Sequence, residues 1–129
     1  MEQQLQLMEE KVTHFKMARK KSPKTERRIL DDIWKKKVKE RDKFMCQVCK
    51  KKVEGKNCHA HHIIPKTIKG FRWDTDNGIT LCYQHHKVGR CSPHMNALWF
   101  TFWLKSNKIH QFNYCIEKLK KLYNEHKIS

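Results

Sequence analysis

The chain of 129 residues carries 29 Lys and Arg against 13 Asp and Glu, a formal charge of +16 at neutral pH, with only 38% hydrophobic residues. That length fits one domain with a small core, and so much positive charge repels itself unless a polyanion such as a phosphodiester backbone neutralises it, the alternative being a merely solubilising surface. No run approaches the roughly 20 apolar residues that span a bilayer, and the start MEQQLQLMEE is unlike a signal peptide, so a cytoplasmic protein without a membrane partner is expected.

Leu5, Met8, Val12 and Phe15 recur at helical steps and predict a helix that stops near Ser22 and Pro23. A second helix, starting around Pro23 or Thr25, carries Ile29, Leu30, Ile33, Trp34 and Val38 on one side and Arg27, Arg28, Lys35, Lys36 and Lys39 on the other. That basic face either tracks phosphates or is simply wetted. Residues 1–42 read as a basic helical arm.

From Lys43 to His94 the character changes, with five of the six cysteines and six of the nine histidines. Short strands are predicted near Cys58 to His62 and Ile79 to Leu81, and a short helix beginning near Tyr83. Beyond it NALWFTFWLKS is apolar almost all round, which predicts a buried helix whose Trp99, Phe102 and Trp103 belong to the core. Apolar residues at Tyr114, Cys115, Leu119, Leu122 and Tyr123 predict a last amphipathic helix, roughly Phe112 to Lys127. Residues 95–129 are thus C-terminal helices around a core at 43–94.

Six cysteines could make three disulfides in a secreted chain, but a reducing compartment and the pair C-Q-V-C favour metal ligation. Cys46-x2-Cys49 and Cys82-x2-His85 are two pairs, each able to present both donors from one tight turn. Three thiolates and an imidazole make a closed tetrahedral set suited to structural Zn²⁺, and such an ion couples binding to folding in a domain with a small core. A two-Cys two-His finger fails, because the histidine after His62 is His85, too far along the chain. Cys58, Cys91 and Cys115 are left over and read as small buried residues. His59, His61, His62, His86 and His94 are also left over, a surplus that a structural cluster does not need and that points to a second, open metal site.

The segments C-Q-V-C at Cys46, A-H-H-I-I-P-K from Ala60 and R-W-D-T-D-N-G-I-T-L-C-Y-Q-H-H from Arg72 together resemble the HNH endonuclease family. The likeness runs over about residues 41–104, and the FRWD, SPH and LWFTFWL stretches resemble small phage and prophage members. It implies an α+β fold, a small ββα-metal, treble-clef-like core stapled by zinc and flanked by N- and C-terminal helices. The departure is His85, where the family usually has a fourth cysteine.

The resemblance also implies roles. His61 would ligate a catalytic divalent ion, His62 would be the general base, and Asn77 would bond the backbone of the opposite strand and hold His62 in orientation. His86 resembles the second metal ligand, and His94 a third. His59, on the same strand face as His61, could touch the site, but the favoured reading is a surface or satisfied histidine. Adjacent strand residues point to opposite faces, so the strand must end or bulge at His61 and His62, as Pro65 also requires. The implied reaction is hydrolysis of DNA to 5′-phosphate and 3′-hydroxyl ends. Imidazole ligands favour Mn²⁺, Ni²⁺, Co²⁺ or Zn²⁺ over Mg²⁺ as the catalytic ion. Arg72 and Arg90 are candidates for a phosphate clamp, although packing between Phe71 and Trp73 explains Arg72 equally well, and closing of the short helix explains Arg90. A homodimer, or a phage or host protein partner, would supply double-strand cutting or added specificity. A silent zinc module that binds nucleic acid, or a component of a phage complex, is the alternative; it leaves His61, His62, Asn77 and His86 without a reason.

Overall fold

The computed structural model describes residues 23–126; the helix expected around Leu5 to Phe15 lies outside them. Helix α1 spans Pro23–Arg41. Proline suits its first turn, where an N–H would have no intrahelical partner. Trp34 and Val38 on its apolar side are buried, while Arg27, Arg28, Lys35 and Lys36 are exposed and Lys39 is half-buried. The helix ends where Lys43 and Phe44 take left-handed φ angles of 57° and 54°, an exit that lets the Phe44 N–H bond the Lys39 carbonyl at 2.9 Å. A small knuckle follows, in which Met45 bridges to Lys52 and the Lys50 N–H donates to the Cys46 carbonyl at 2.8 Å.

Two strands, β1 (His59–His62) and β2 (Gly78–Leu81), pair antiparallel, with His59 opposite Leu81 and His62 opposite Gly78. They form where the sequence predicts them, with ends one residue away. All four residues of β2 are buried, because α1 packs on the sheet and the knuckle closes the outer edge of β2. The Gln47 N–H bonds the Thr80 carbonyl at 3.0 Å, and the Thr80 N–H donates to Asp42 at 2.8 Å. A free edge is thereby capped by local chain instead of being left to pair with another molecule.

After β2 the expected short helix is one π-helical turn, Gln84–Val88, closed by the Gly89 N–H on the Gln84 carbonyl at 2.8 Å. A Cβ at Gly89 would lie 2.7 Å from that carbonyl. Helix α2 (Ala97–Asn107) is capped by Asn96, whose side chain accepts from the Trp99 N–H at 3.0 Å. Helix α3 (Ile109–His126) packs against α2 and against the loop before β2.

Two expectations need correction. Helix α2 is not buried all round: Phe100 and Leu104 enter the core and Trp99 and Trp103 pack at its margin, but Leu98 is 83% and Phe102 68% exposed. Among the described residues no further layer lies beyond α2 to cover that side, as expected where a small domain has little interior. Cys58 and Cys115 are buried, whereas Cys91 is exposed on the loop before α2.

The core gathers Val53, Cys58, Ile79, Leu81, Phe100 and Leu104 around the thiols of Cys46 and Cys82. This is a mixed α+β arrangement of helices around a two-stranded sheet. No described helix is long and apolar enough to cross a membrane.

The tightest joint lies between α1 and β2. A Cβ on Gly78 would meet Val38 Cγ2 at 2.5 Å and Trp34 Cζ2 at 2.6 Å. Gly78→Ala should therefore lower stability by about 1–3 kcal/mol through overpacking, read as an earlier midpoint in denaturant unfolding followed by tryptophan fluorescence.

Candidate metal centre

The knuckle presents Cys46 and Cys49, and the turn after β2 presents Cys82 and His85. Their four donor atoms lie within 4.8 Å of one another. His85 Nδ1 is 3.2 Å from Cys82 Sγ and 3.8 Å from Cys46 Sγ, and the His85 N–H points at Cys82 Sγ from 3.5 Å. The set is closed and wrapped by core side chains, and its three sulfurs and one imidazole nitrogen could hold zinc.

A second convergence lies between β1, the turn after β2 and the loop that follows it. His61 Nδ1 and His94 Nε2 each lie 3.1 Å from His86 Nε2, and the three nitrogens fall within 4.8 Å of one another. Two donors that each sit about 2.0–2.1 Å from one ion are themselves roughly 3.0–3.4 Å apart, so the spacing fits a shared divalent cation. Burial, followed by repulsion from the neighbouring rings, holds both His61 and His86 down to about 3. They are therefore neutral at physiological pH, the form in which imidazole ligates a metal. The wide turn at Gln84–Val88 sets His86 beneath β1 while His85 faces the cysteines; π-helical turns recur at functional sites. His94 is delivered by the following loop, its N–H on the His86 carbonyl at 3.4 Å.

His62 is the next residue along β1 and points the other way. Its ring stacks on Trp34 with centroids 3.8 Å apart and planes 6° from parallel, and Nε2 lies 2.8 Å from the Arg72 carbonyl. A carbonyl only accepts, so Nε2 carries the proton and Nδ1 keeps its lone pair when the ring is neutral. Burial lowers the pKa of His62, offset in part by the Arg72 carbonyl, which favours the protonated ring. Asn77 is fully buried. Its Oδ1 accepts from the Ile64 N–H, and its Nδ2 donates to the carbonyls of Ile64 at 2.9 Å and Phe71 at 3.1 Å.

The two sets of histidines open onto one cleft of about 600 Å³, which His59, His61, His62, His86 and His94 line together with Lys35, Lys39, Lys56, Lys66 and Lys87. Lys56, Lys66 and Lys87 escape a reading by motif because they are single lysines from three separate segments, two of them short helical turns, that only the fold assembles. Arg27, Arg28, Lys36 and Arg90 are exposed and do not line the cleft. The Arg72 guanidinium is engaged by Asp31 through two bonds of 2.9 and 2.7 Å, and Trp73 Nε1 donates to the same carboxylate at 2.9 Å. Trp34 Nε1 bonds the Asp74 carbonyl at 2.7 Å. Asp31 and Trp34, one helical turn apart on α1, thus hold the loop whose Arg72 carbonyl orients His62. The apolar stripe signalled Trp34 as core; its second task needed the fold.

A short antiparallel hairpin followed by a helical turn, with imidazoles from both converging on one ion position, defines the ββα-metal class. Residues 46–88, about a third of the chain, match the family model described as HNH endonuclease. No curated protein and no solved structure gives a match to the chain.

The Asp31 pair carries a pH signature. The bonds from Arg72 hold the Asp31 carboxyl below its usual range, so the folded state binds fewer protons than the unfolded chain around pH 4. The contribution is then present above the unfolded pKa of about 3.9 and is lost as pH falls through the lowered folded value. Asp31→Asn should cost about 1 kcal/mol at pH 7, with the gap to wild type closing below about pH 4 in denaturant unfolding.

Proposed function

We propose that the chain is a metal-dependent DNA endonuclease in which His62 is the general base and His61, His86 and His94 hold one divalent ion. The observation that carries this reading is the division of two adjacent histidines, His61 turned to a three-imidazole cluster and His62 turned away with one nitrogen bonded to a carbonyl and the other left basic. A silent binding module has no use for that arrangement. Cys46, Cys49, Cys82 and His85 hold a structural zinc in this reading, and strong chelation should therefore melt tertiary structure rather than merely stop activity.

His62 takes the proton from a water aligned with the scissile phosphorus. Stacking on Trp34 and the bond to the Arg72 carbonyl leave the ring one orientation, and positioned base catalysis of this kind contributes about 10²–10⁴ in rate. Asn77 fixes the chain just beyond His62 and so acts on the ring's position, without touching the reacting atoms. When bound, the divalent ion supplies Lewis-acid stabilisation of charge on the phosphate and the departing 3′ oxygen. A nitrogen-rich ligand set supports Mn²⁺ or Ni²⁺ better than Mg²⁺. Lys35, Lys39, Lys56, Lys66 and Lys87 around the cleft attract the phosphodiester backbone, and exposed Arg27, Arg28 and Lys36 extend that track along α1. Affinity from such contacts falls steeply with salt.

The test is cleavage of supercoiled plasmid by wild type and His62→Ala with Mg²⁺, Mn²⁺, Ni²⁺ or Zn²⁺ and an EDTA control. Wild type should cut best with Mn²⁺ or Ni²⁺, and the variant should bind DNA equally while cutting about 10²–10⁴ times more slowly. Binding without cutting by both proteins would turn the reading to a silent nucleic-acid module.

A further inference from the structure

One histidine at the cleft has no part in the chemistry above. His59 lies two residues before His61 on the same face of β1, and its ring stands edge-on to His86 with centroids 4.9 Å apart. Its Nε2 is 2.8 Å from the Lys56 carbonyl and its Nδ1 is 2.8 Å from His86 Nδ1. These two distances determine where the protons sit. The Lys56 carbonyl only accepts, so His59 Nε2 is the protonated nitrogen and, in a neutral ring, His59 Nδ1 is an acceptor. The proton between the two rings then belongs to His86 Nδ1. His86 Nε2 is consequently bare, and it is the atom on which His61 and His94 converge.

We propose that His59 is a positioning residue that fixes His86 in its Nδ1-protonated tautomer, so that Nε2 is permanently available to the divalent ion. The inference rests on reading His61, His86 and His94 as an ion site. A metal-bound imidazole is normally oriented by a partner on its other nitrogen, usually a carboxylate, a carbonyl or water. In this chain the carbonyl of Lys56 does that work at one remove, through the ring of His59. Without an acceptor at position 59, the largely buried His86 is free to carry its proton on Nε2, where it blocks ligation and must be moved before an ion binds.

The test uses the protein with its cysteine cluster zinc-loaded and compares wild type, His59→Leu and His59→Gln. Zinc content and thermal transition report folding, calorimetric titration with Ni²⁺ reports the ion site, and imidazole ¹⁵N spectra of Ni²⁺-free protein report the His86 tautomer. Leucine cannot accept a hydrogen bond, and it should weaken Ni²⁺ binding about 10–100-fold and move part of the His86 proton to Nε2. Glutamine, whose amide oxygen can accept from His86 Nδ1, should recover most of both losses. Equal Ni²⁺ affinity and an unchanged His86 spectrum in His59→Leu would overturn the relay while leaving the ion site intact. Equal losses in the Leu and Gln variants would also overturn it, since that pattern marks packing alone. Absence of Ni²⁺ binding by wild type would overturn the ion site and the relay together.

Discussion

The geometry of the site depends on the side chain of Asn77. It is completely buried, and its amide bonds both the N–H and the carbonyl of Ile64 as well as the Phe71 carbonyl. A single carboxamide therefore joins the exit of β1 to the loop that returns to β2. That loop is itself clamped from outside: Arg41 donates to the carbonyls of Thr75 and Gly78, Gln111 to those of Asp76 and Gly78, and the Tyr114 hydroxyl to the Asp74 carboxylate. Helices from both ends of the described chain thus converge on the same few residues. An apolar substitute at position 77 would strand buried backbone groups, each at a cost of about 1–3 kcal/mol, and would release the segment that follows His62.

With the exit of β1 held, alternation along the strand divides the labour. His59 and His61 project toward His86, while His62 projects toward Trp34 on α1. Both rings still line one cleft, because it lies at the end of the strand, where β1 stops at His62. The Cys46, Cys49, Cys82 and His85 cluster contributes in a different way. It sits inside a core whose large apolar members are few, and it ties the knuckle after α1 to the turn that carries His86. Stability and the geometry of the candidate site then rest on the same short stretch, Cys82 to His86.

Much of this was legible in the residues. Paired Cys-x2-Cys and Cys-x2-His spacings located the sulfur-rich cluster, a surplus of histidines located the second one, and the segments C-Q-V-C, A-H-H-I-I-P-K and R-W-D-T-D-N-G-I-T-L-C-Y-Q-H-H carried the family resemblance that the HNH match at residues 46–88 bears out. The unread parts share a physical cause, namely contacts between segments far apart in sequence. Asp31 bonding Arg72, Trp34 stacking on His62, and three separate lysines meeting at the cleft mouth leave no local periodicity or spacing. Composition also misled at α2, because an apolar helix signals burial only where neighbours exist to cover it. His59 was visible as a neighbour of His61, but its use depends on which nitrogen faces the Lys56 carbonyl, and that is a matter of ångströms.

The claim at the centre of the account is that two adjacent histidines serve different masters, an ion for His61 and a water for His62. Diffraction recorded at the zinc and nickel absorption edges, from zinc-loaded crystals soaked in Ni²⁺, addresses it directly. The account predicts zinc among Cys46, Cys49, Cys82 and His85, and nickel roughly 2.1 Å from His61 Nδ1, His86 Nε2 and His94 Nε2, with His62 free of metal and still stacked on Trp34. Nickel bound through His62, or no second ion at all, would contradict it.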